Sequence, residues 1–278
     1  MKSILALAGG TARLEPTLAT ALLAARRLDA RLSVLHVRAE AEQLAYYAGD
    51  MVVPVPMAGQ SIEDAEEFIA EREHRARAVY DQVLGGETAR AAWRVETGSE
   101  AEVLAGLGRV SDLVVIARAG HTDEDIAPES VSAALFETGR PVLVAPPVPP
   151  PTIGTRIAIA WNDSVQSARA VGAALRFIAL ATEVRVLIAG HGGERVPTDG
   201  LVDYLGAWGV KAVVEAFDPG SNSARARGRG LLQHAQGMNA DLLVMGAYGQ
   251  GRMMQFLGLG GATAKVITAN TMPLLLAH

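Results

Sequence analysis

The sequence predicts an α/β protein of two domains, each a parallel five-stranded sheet flanked by helices. Short apolar runs alternate with longer helical patterns along the 278 residues, the order of those runs recurs once, and a proline-rich stretch separates the two copies.

The first copy opens with an apolar run at 2–8, read as a strand, and a helix at 16–27. A strand at 31–37 follows, then a long charged helix at 62–84, a strand at 92–96 and a helix at 100–109. The copy closes with a strand at 113–117, a helix at 129–137 and a last strand at 141–145. Strand–helix alternation of this kind argues for βαβ units and a doubly wound parallel sheet. The helix at 62–84 carries Glu63, Asp64, Glu66, Glu67, Glu71, Arg72, Glu73, Arg75 and Arg77, and reads as a solvated face rather than a docking surface.

The second copy is recognised by matching segments. Ser111-Asp-Leu-Val-Val-Ile-Ala-Arg-Ala-Gly120 and Ala240-Asp-Leu-Leu-Val-Met-Gly-Ala-Tyr-Gly249 share a small residue, an Asp, four apolar residues and a turn closing on Gly. Gly139-Arg-Pro-Val-Leu-Val-Ala-Pro146 matches Thr271-Met-Pro-Leu-Leu-Leu-Ala-His278, and the opening runs at 3–8 and 156–160 correspond. Between the copies, Ala145-Pro-Pro-Val-Pro-Pro-Pro-Thr-Ile-Gly154 suits a linker, because consecutive prolines neither continue a helix nor sit in the middle of a sheet. The expected domains are therefore 1–146 and 155–278. Their apolar last strands, 141–145 and 273–277, are the expected contact between them, since a bare apolar edge invites pairing.

Composition excludes several classes of function. Hydrophobic residues make up 50% of the chain and charged residues 20%, which provides for a packed core and argues against global disorder. Aromatics are 5% and the net charge is −5, so neither stacking platforms nor a basic face speaks for nucleic acid as a partner. There are no cysteines, which removes disulfides, thiolate nucleophiles and Cys-based metal sites. The N-terminus has no secretory signal pattern and no apolar run is long enough to span a membrane, so the expectation is a soluble cytoplasmic protein.

The chemistry-bearing segment starts at Gly246-Ala-Tyr-Gly249 and ends at Gly260-Gly261-Ala-Thr263, between an apolar strand at 242–245 and a helical stretch at 263–269. Glycines in a strand-to-helix loop let backbone N–H groups approach an anion, and the helix end adds positive partial charge. The same glycines are also able simply to turn the chain, and spacing alone leaves both readings open. Neither a P-loop nor a dinucleotide fingerprint is present.

This segment resembles the signature of the universal stress protein family: Gly, two residues, Gly, nine residues, Gly, then Ser or Thr. The resemblance extends over essentially the whole chain, once per half. It implies Rossmann-like, adenine nucleotide alpha hydrolase-like domains, with ATP or another adenine nucleotide held by the loop and Mg2+ as an accompanying ion. Carried over, Gly246, Gly249, Gly260, Gly261 and Thr263 are the phosphate-loop residues. Asn162 and Asp163, after the first strand of the second copy, stand where the family's nucleoside-contacting Asp belongs. Two departures are visible. Ten residues separate Gly249 from Gly260, and Gly261 replaces the hydroxyl residue, with Thr263 two places later. The first copy departs further. Its first strand ends Ala8-Gly9-Gly10-Thr11 without an acid, and its loop carries Asp123, Glu124 and Asp125 where phosphates would lie. The expected single site is in the second copy.

Other constellations are weaker. The six histidines lack metal-ligand spacing, and His36 in Val34-Leu-His-Val37 reads as a satisfied sheet histidine. There is no G-x-S-x-G elbow. The run from Ser221 to Arg229 reads as a Ser-capped helix start ahead of a phosphate site. Met253, Met254 and Phe256 suit either a ligand cover or domain packing. With no general base, metal cluster or activated nucleophile in view, the expectation is a stress-response nucleotide-binding protein rather than an enzyme, with at most slow incidental ATP hydrolysis. Its expected partners are the nucleotide, unidentified proteins and, as a further option, a second copy in a homodimer. The alternative is a nucleotide-free interaction protein with structural glycines.

Overall fold

A strand covered by helices on both faces has to be apolar at every position, whereas an outer strand tolerates polar ones. The chain follows this rule in a computed structural model describing residues 1–9, 12–41, 62–118, 126–190, 196–221, 223–247, 266, 267, 269 and 271–278. β4 (Leu113–Ile116), β5 (Val142–Val144) and β10 (Leu274–Ala277) are buried throughout, and β1 (Ser3–Leu7) and β9 (Leu242–Gly246) are buried but for one end residue. β6 (Arg156–Ala160) is close to this pattern. β2 (Arg31–Arg38) and β7 (Glu183–Ala189) are mixed, and the outermost strands, β3 (Ala91–Thr97) and β8 (Ala212–Phe217), are largely open.

Burial thus reports position in one ten-stranded sheet of order β3-β2-β1-β4-β5-β10-β9-β6-β7-β8. Counted from its own outer edge, each half has the same internal order: third strand, second, first, fourth, fifth. All neighbours are parallel except β5 and β10, which run antiparallel with Leu275 opposite Leu143. These are the apolar strands that the sequence offers as the contact. Each covers the other's edge, and the antiparallel sense follows from placing two like halves about a two-fold axis. Residues 145–155, with the prolines, contain neither helix nor strand.

Helices α1 (Leu14–Leu28), α2 (Ile62–Leu84), α5 (Val165–Ile178) and α6 (Asp199–Ala207) bury residues with Ile4, Ala6, Ile157 and Ile159 on one face. α3 (Glu100–Gly108), α4 (Pro128–Phe136) and α7 (Ala224–Gly237) do so with Leu5, Leu7, Ala158 and Leu243 on the other. Both cores run across the two halves, and Arg27 of α1 stitches them by donating to the carbonyls of Gly154, at 3.0 Å, and Leu180. The helix expected from Pro16 starts two residues earlier, with Pro16 inside the first turn, where a missing N–H costs nothing. Most of the helical stretch at 263–269 lies outside the described residues.

The repeated Asp has a structural use. Asp112, just before β4, accepts from the backbone N–H groups of Lys2 and Ser3 at the start of β1. Asp241, just before β9, accepts from Thr155 and Arg156 at the start of β6, both at 2.8 Å, and from the Thr152 hydroxyl at 2.7 Å. Each carboxylate caps the amino end of a neighbouring strand, at the end of the sheet away from Gly246. Of the α2 charges, Glu63, Asp64, Glu66, Glu67, Glu71, Arg75 and Arg77 are exposed as expected, whereas Arg72 and Glu73 are half-buried. His36 is a sheet histidine, buried, with Nδ1 3.2 Å from the Ala8 carbonyl oxygen, and burial pushes its pKa down.

Candidate functional site

β6 leads through α5 to β7 on one side, whereas its neighbour on the other side is β9. The chain therefore departs in opposite directions from two adjacent parallel strands, and their carboxyl ends open a crevice there, the position at which open α/β sheets hold ligands. Ala160 of β6 pairs with Met245 of β9, so the start of the turn after β6 and the end of β9 at Gly246 stand side by side.

The β6 turn carries Asn162 and Asp163, both exposed. Asp163 has φ of +55°, the left-handed region, which Asp enters at a cost of about 1 kcal/mol and Gly enters freely. The Asn162 side-chain oxygen, Oδ1, accepts from the Ser164 hydroxyl at 2.7 Å and from the Ser164 N–H at 3.4 Å. Ser164 in turn caps α5 reciprocally with Ser167, at 3.2 Å and 3.0 Å. The Asn162 oxygen thus serves the helix start, leaving its amide donors for anything outside the turn.

Gly246 ends β9 and touches the same helix start. A Cβ there would lie 2.6 Å from the Gln166 carbonyl carbon and 2.7 Å from the Ser167 nitrogen, both backbone atoms. This glycine is needed for the close approach of α5 to β9, whatever else it does. Asn162, Asp163 and Gly246 are thereby brought to one place. Gly249, Gly260, Gly261 and Thr263 lie outside the described residues, as do Met253, Met254 and Phe256 and the first copy's Asp123, Glu124 and Asp125.

In the first half the corresponding crevice, between β1 and β4, holds a carboxylate that sequence reasoning missed. Glu100, the first residue of α3, has both carboxyl oxygens 2.8 Å from where a Gly9 Cβ would be. It accepts from the Ser130 hydroxyl at 2.6 Å, and Arg72 donates to the Gly9 carbonyl at 2.7 Å. The signal was in the repeat. Ser99 and Ser223 both stand at helix N-caps, so Glu100 corresponds to Ala224 in α7. Ser223 caps α7 by accepting from the Ala226 N–H at 3.2 Å, which bears out the helix-start reading of that run.

Burial pushes the Glu100 carboxyl pKa up, against the opposing pull of Ser130 and Arg72. Its folded pKa lies above the unfolded one, so the native state holds the proton more tightly and stability falls as pH rises through the folded value. Glu100→Gln should therefore raise the melting temperature at pH 7 by about 3 °C. The gain should vanish below the ordinary pKa of 4.5, a comparison that thermal scans at pH 4 and pH 7 would make.

Among the described residues no group of three or more His, Asp or Glu side chains is arranged to hold a metal, and no helix is long and apolar enough to cross a membrane. The surface depressions lined by Arg38, Glu66, Ile69 and Thr97 and by Lys2, Arg31 and Arg90 lie in the first half, away from Asn162 and Gly246.

No protein-family model and no curated protein matches the sequence. Solved structures do match the fold. A universal stress protein from Archaeoglobus fulgidus DSM 4304 superposes with a TM-score of 0.64 at 15% identity, over 98% of this chain and 97% of the other. A protein from Pseudomonas aeruginosa UCBPP-PA14 given the same family name superposes with a TM-score of 0.52 at 15% identity, over 94% of this chain and 87% of the other. The mostly parallel α/β sheet described above, with helices on both faces, is the fold of the universal stress proteins.

Proposed function

We propose that the chain is a cytoplasmic stress-response protein that binds one adenine nucleotide, ATP, ADP or AMP, in its C-terminal half and acts through protein contacts. The observation that carries this reading is the crevice at the carboxyl ends of β6 and β9, where Asn162, Asp163 and Gly246 stand together and from which the Gly-rich segment departs. Backbone N–H groups of that segment would hold the phosphates, with Mg2+ alongside, and the Asn162–Asp163 turn would meet the nucleoside. The first half suits an anion poorly, because the Glu100 carboxyl already faces Gly9 in its crevice. Any hydrolysis of bound ATP would be slow and incidental.

The test is mass spectrometry of small molecules released on denaturing the purified protein, followed by calorimetric titration of the stripped chain. The expected result is one nucleotide per chain. Asn162→Asp should tighten binding about fivefold, because a hydrogen bond to a charged acceptor is worth about 1 kcal/mol more than one to a neutral acceptor. No binding of ATP, ADP or AMP at millimolar concentration would overturn the proposal.

A second reading, a nucleotide-free interaction protein, is favoured by one observation: the Asn162 oxygen and Gly246 both already have structural uses. Gly249→Leu separates the two. Loss of nucleotide with an unchanged melting temperature supports the first reading, and no nucleotide effect supports the second.

A further inference from the structure

The two outer edges of the sheet are finished differently. At the β3 edge, Tyr80 of α2 packs on Trp93 with ring centroids 5.2 Å apart and donates its hydroxyl to the Ala91 carbonyl at 3.1 Å. The Arg77 guanidinium lies 5.0 Å from the Tyr80 ring centre, and Arg94 and Glu96 pair at 2.7 Å along the strand. A charged strand beside a covered aromatic resists further pairing. α2, with 23 residues, supplies this cover.

The helix in the same place of the second half, α6, has 9 residues. It leaves Tyr204 and Trp208, one turn apart, 43% and 53% exposed, and the adjoining β8 leaves Val213 and Val214 59% and 39% exposed. Four large apolar side chains stand bare between residues 204 and 214. Beside them, among the described residues, β8 has no neighbour on its outer side.

We propose that β8 pairs antiparallel with β8 of a second copy of this chain about a two-fold axis, so that the sheet continues through the partner. A two-fold perpendicular to the sheet keeps each face of the strand on the same side, so the register shifts only in steps of two residues. With Val213 opposite its own copy, Ala212 meets Val214 of the partner subunit and Lys211 meets Glu215 of the partner subunit. A shift of one step either way sets Val213 against Glu215 or against Lys211 instead. Charge complementarity thus selects the register centred on Val213. Lys211 is exposed, and Glu215 already accepts from Arg185 at 3.2 Å and bonds His234 at 2.7 Å, with carboxylate lone pairs to spare. The pairing brings the two α6 helices together on one face, covering Tyr204 and Trp208. Being isologous it closes as a dimer, whereas joining β8 to the β3 edge would build an open filament.

Sedimentation of the full chain at about 20 μM tests this. The wild type should run at twice the 29.1 kDa chain mass, and Val213→Lys at the mass of one chain with unchanged circular dichroism. The cysteine-free background gives a second arm: Val213→Cys should oxidise readily to a covalent dimer, and Val110→Cys, at a site 79% exposed in the other half, should not. A monomeric wild type, leaving β8 to a different chain, overturns the self-pairing. So does a dimeric Val213→Lys variant, or equal cross-linking of the two cysteine variants.

Discussion

Gly246→Ala lowers the melting temperature by about 8 °C, corresponding to a loss of about 3 kcal/mol, whereas Gly172→Ala raises it slightly. Both changes add the same methyl group. At Gly246 it would sit 2.6–2.8 Å from Gln166 and Ser167, two contacts being to backbone. Something has to move, and α5 is poorly able to. Its first turn is held by the Ser164–Ser167 capping box and by Asn162, and its far end by Phe177, which is fully buried. Gly172 lies exposed in the middle of the same helix with nothing within 4 Å of an added Cβ. There the methyl group only restricts the unfolded chain, a gain of about 0.5–1 kcal/mol. Thermal scans of the two variants check the prediction, and a Gly246→Ala protein within a degree of wild type would refute it. Under the proposed function, nucleotide affinity would fall in Gly246→Ala too, through the displaced helix start. For that reason Gly246→Ala does not by itself test the proposed nucleotide site.

Asp241→Ala should cost about 2–3 kcal/mol, a fall of about 6 °C, and Asp112→Ala somewhat less. The Asp241 carboxylate holds two backbone N–H groups at the start of β6 and the Thr152 hydroxyl, so its removal strips the strand's amino end and frees the segment ahead of it at once. Hydrogen bonds to a charged acceptor are worth about 1.5–3 kcal/mol each, but this site is half-exposed and water recovers part of the loss. Asp112 holds two N–H groups and no hydroxyl. The Lys2 N–H, first among several causes, keeps the Asp112 carboxyl below its ordinary pKa of 3.8. Because that folded pKa is depressed, its stabilisation is full above 3.8 and is lost as pH falls through the folded value. Urea unfolding at pH 7 should therefore separate Asp112→Ala from wild type, and strongly acid solution should bring them together.

Much of the fold was legible from local pattern. Apolar runs without alternation identified the buried parallel strands, the Asp-led runs at 112 and 241 identified the repeat, and the last strands identified themselves as the contact by being apolar at an edge. The solvated face of α2 and the buried His36 were read in the same way, since side-chain periodicity reports whether a residue faces water. Of the candidate site, the sequence placed Asn162, Asp163 and Gly246 at strand ends, where turn-forming residues follow apolar runs. Periodicity says that a face is buried but not against what. The closeness of Gly246 to Gln166 and Ser167, the Glu100 carboxyl against Gly9, the turning of the Asn162 oxygen toward Ser164 and the bare β8 edge beyond a short α6 depend on how the helices sit on the sheet. These contacts are set by shape and electrostatics in three dimensions, where residues far apart in the chain, or turned by a cap, meet at distances of a few ångströms.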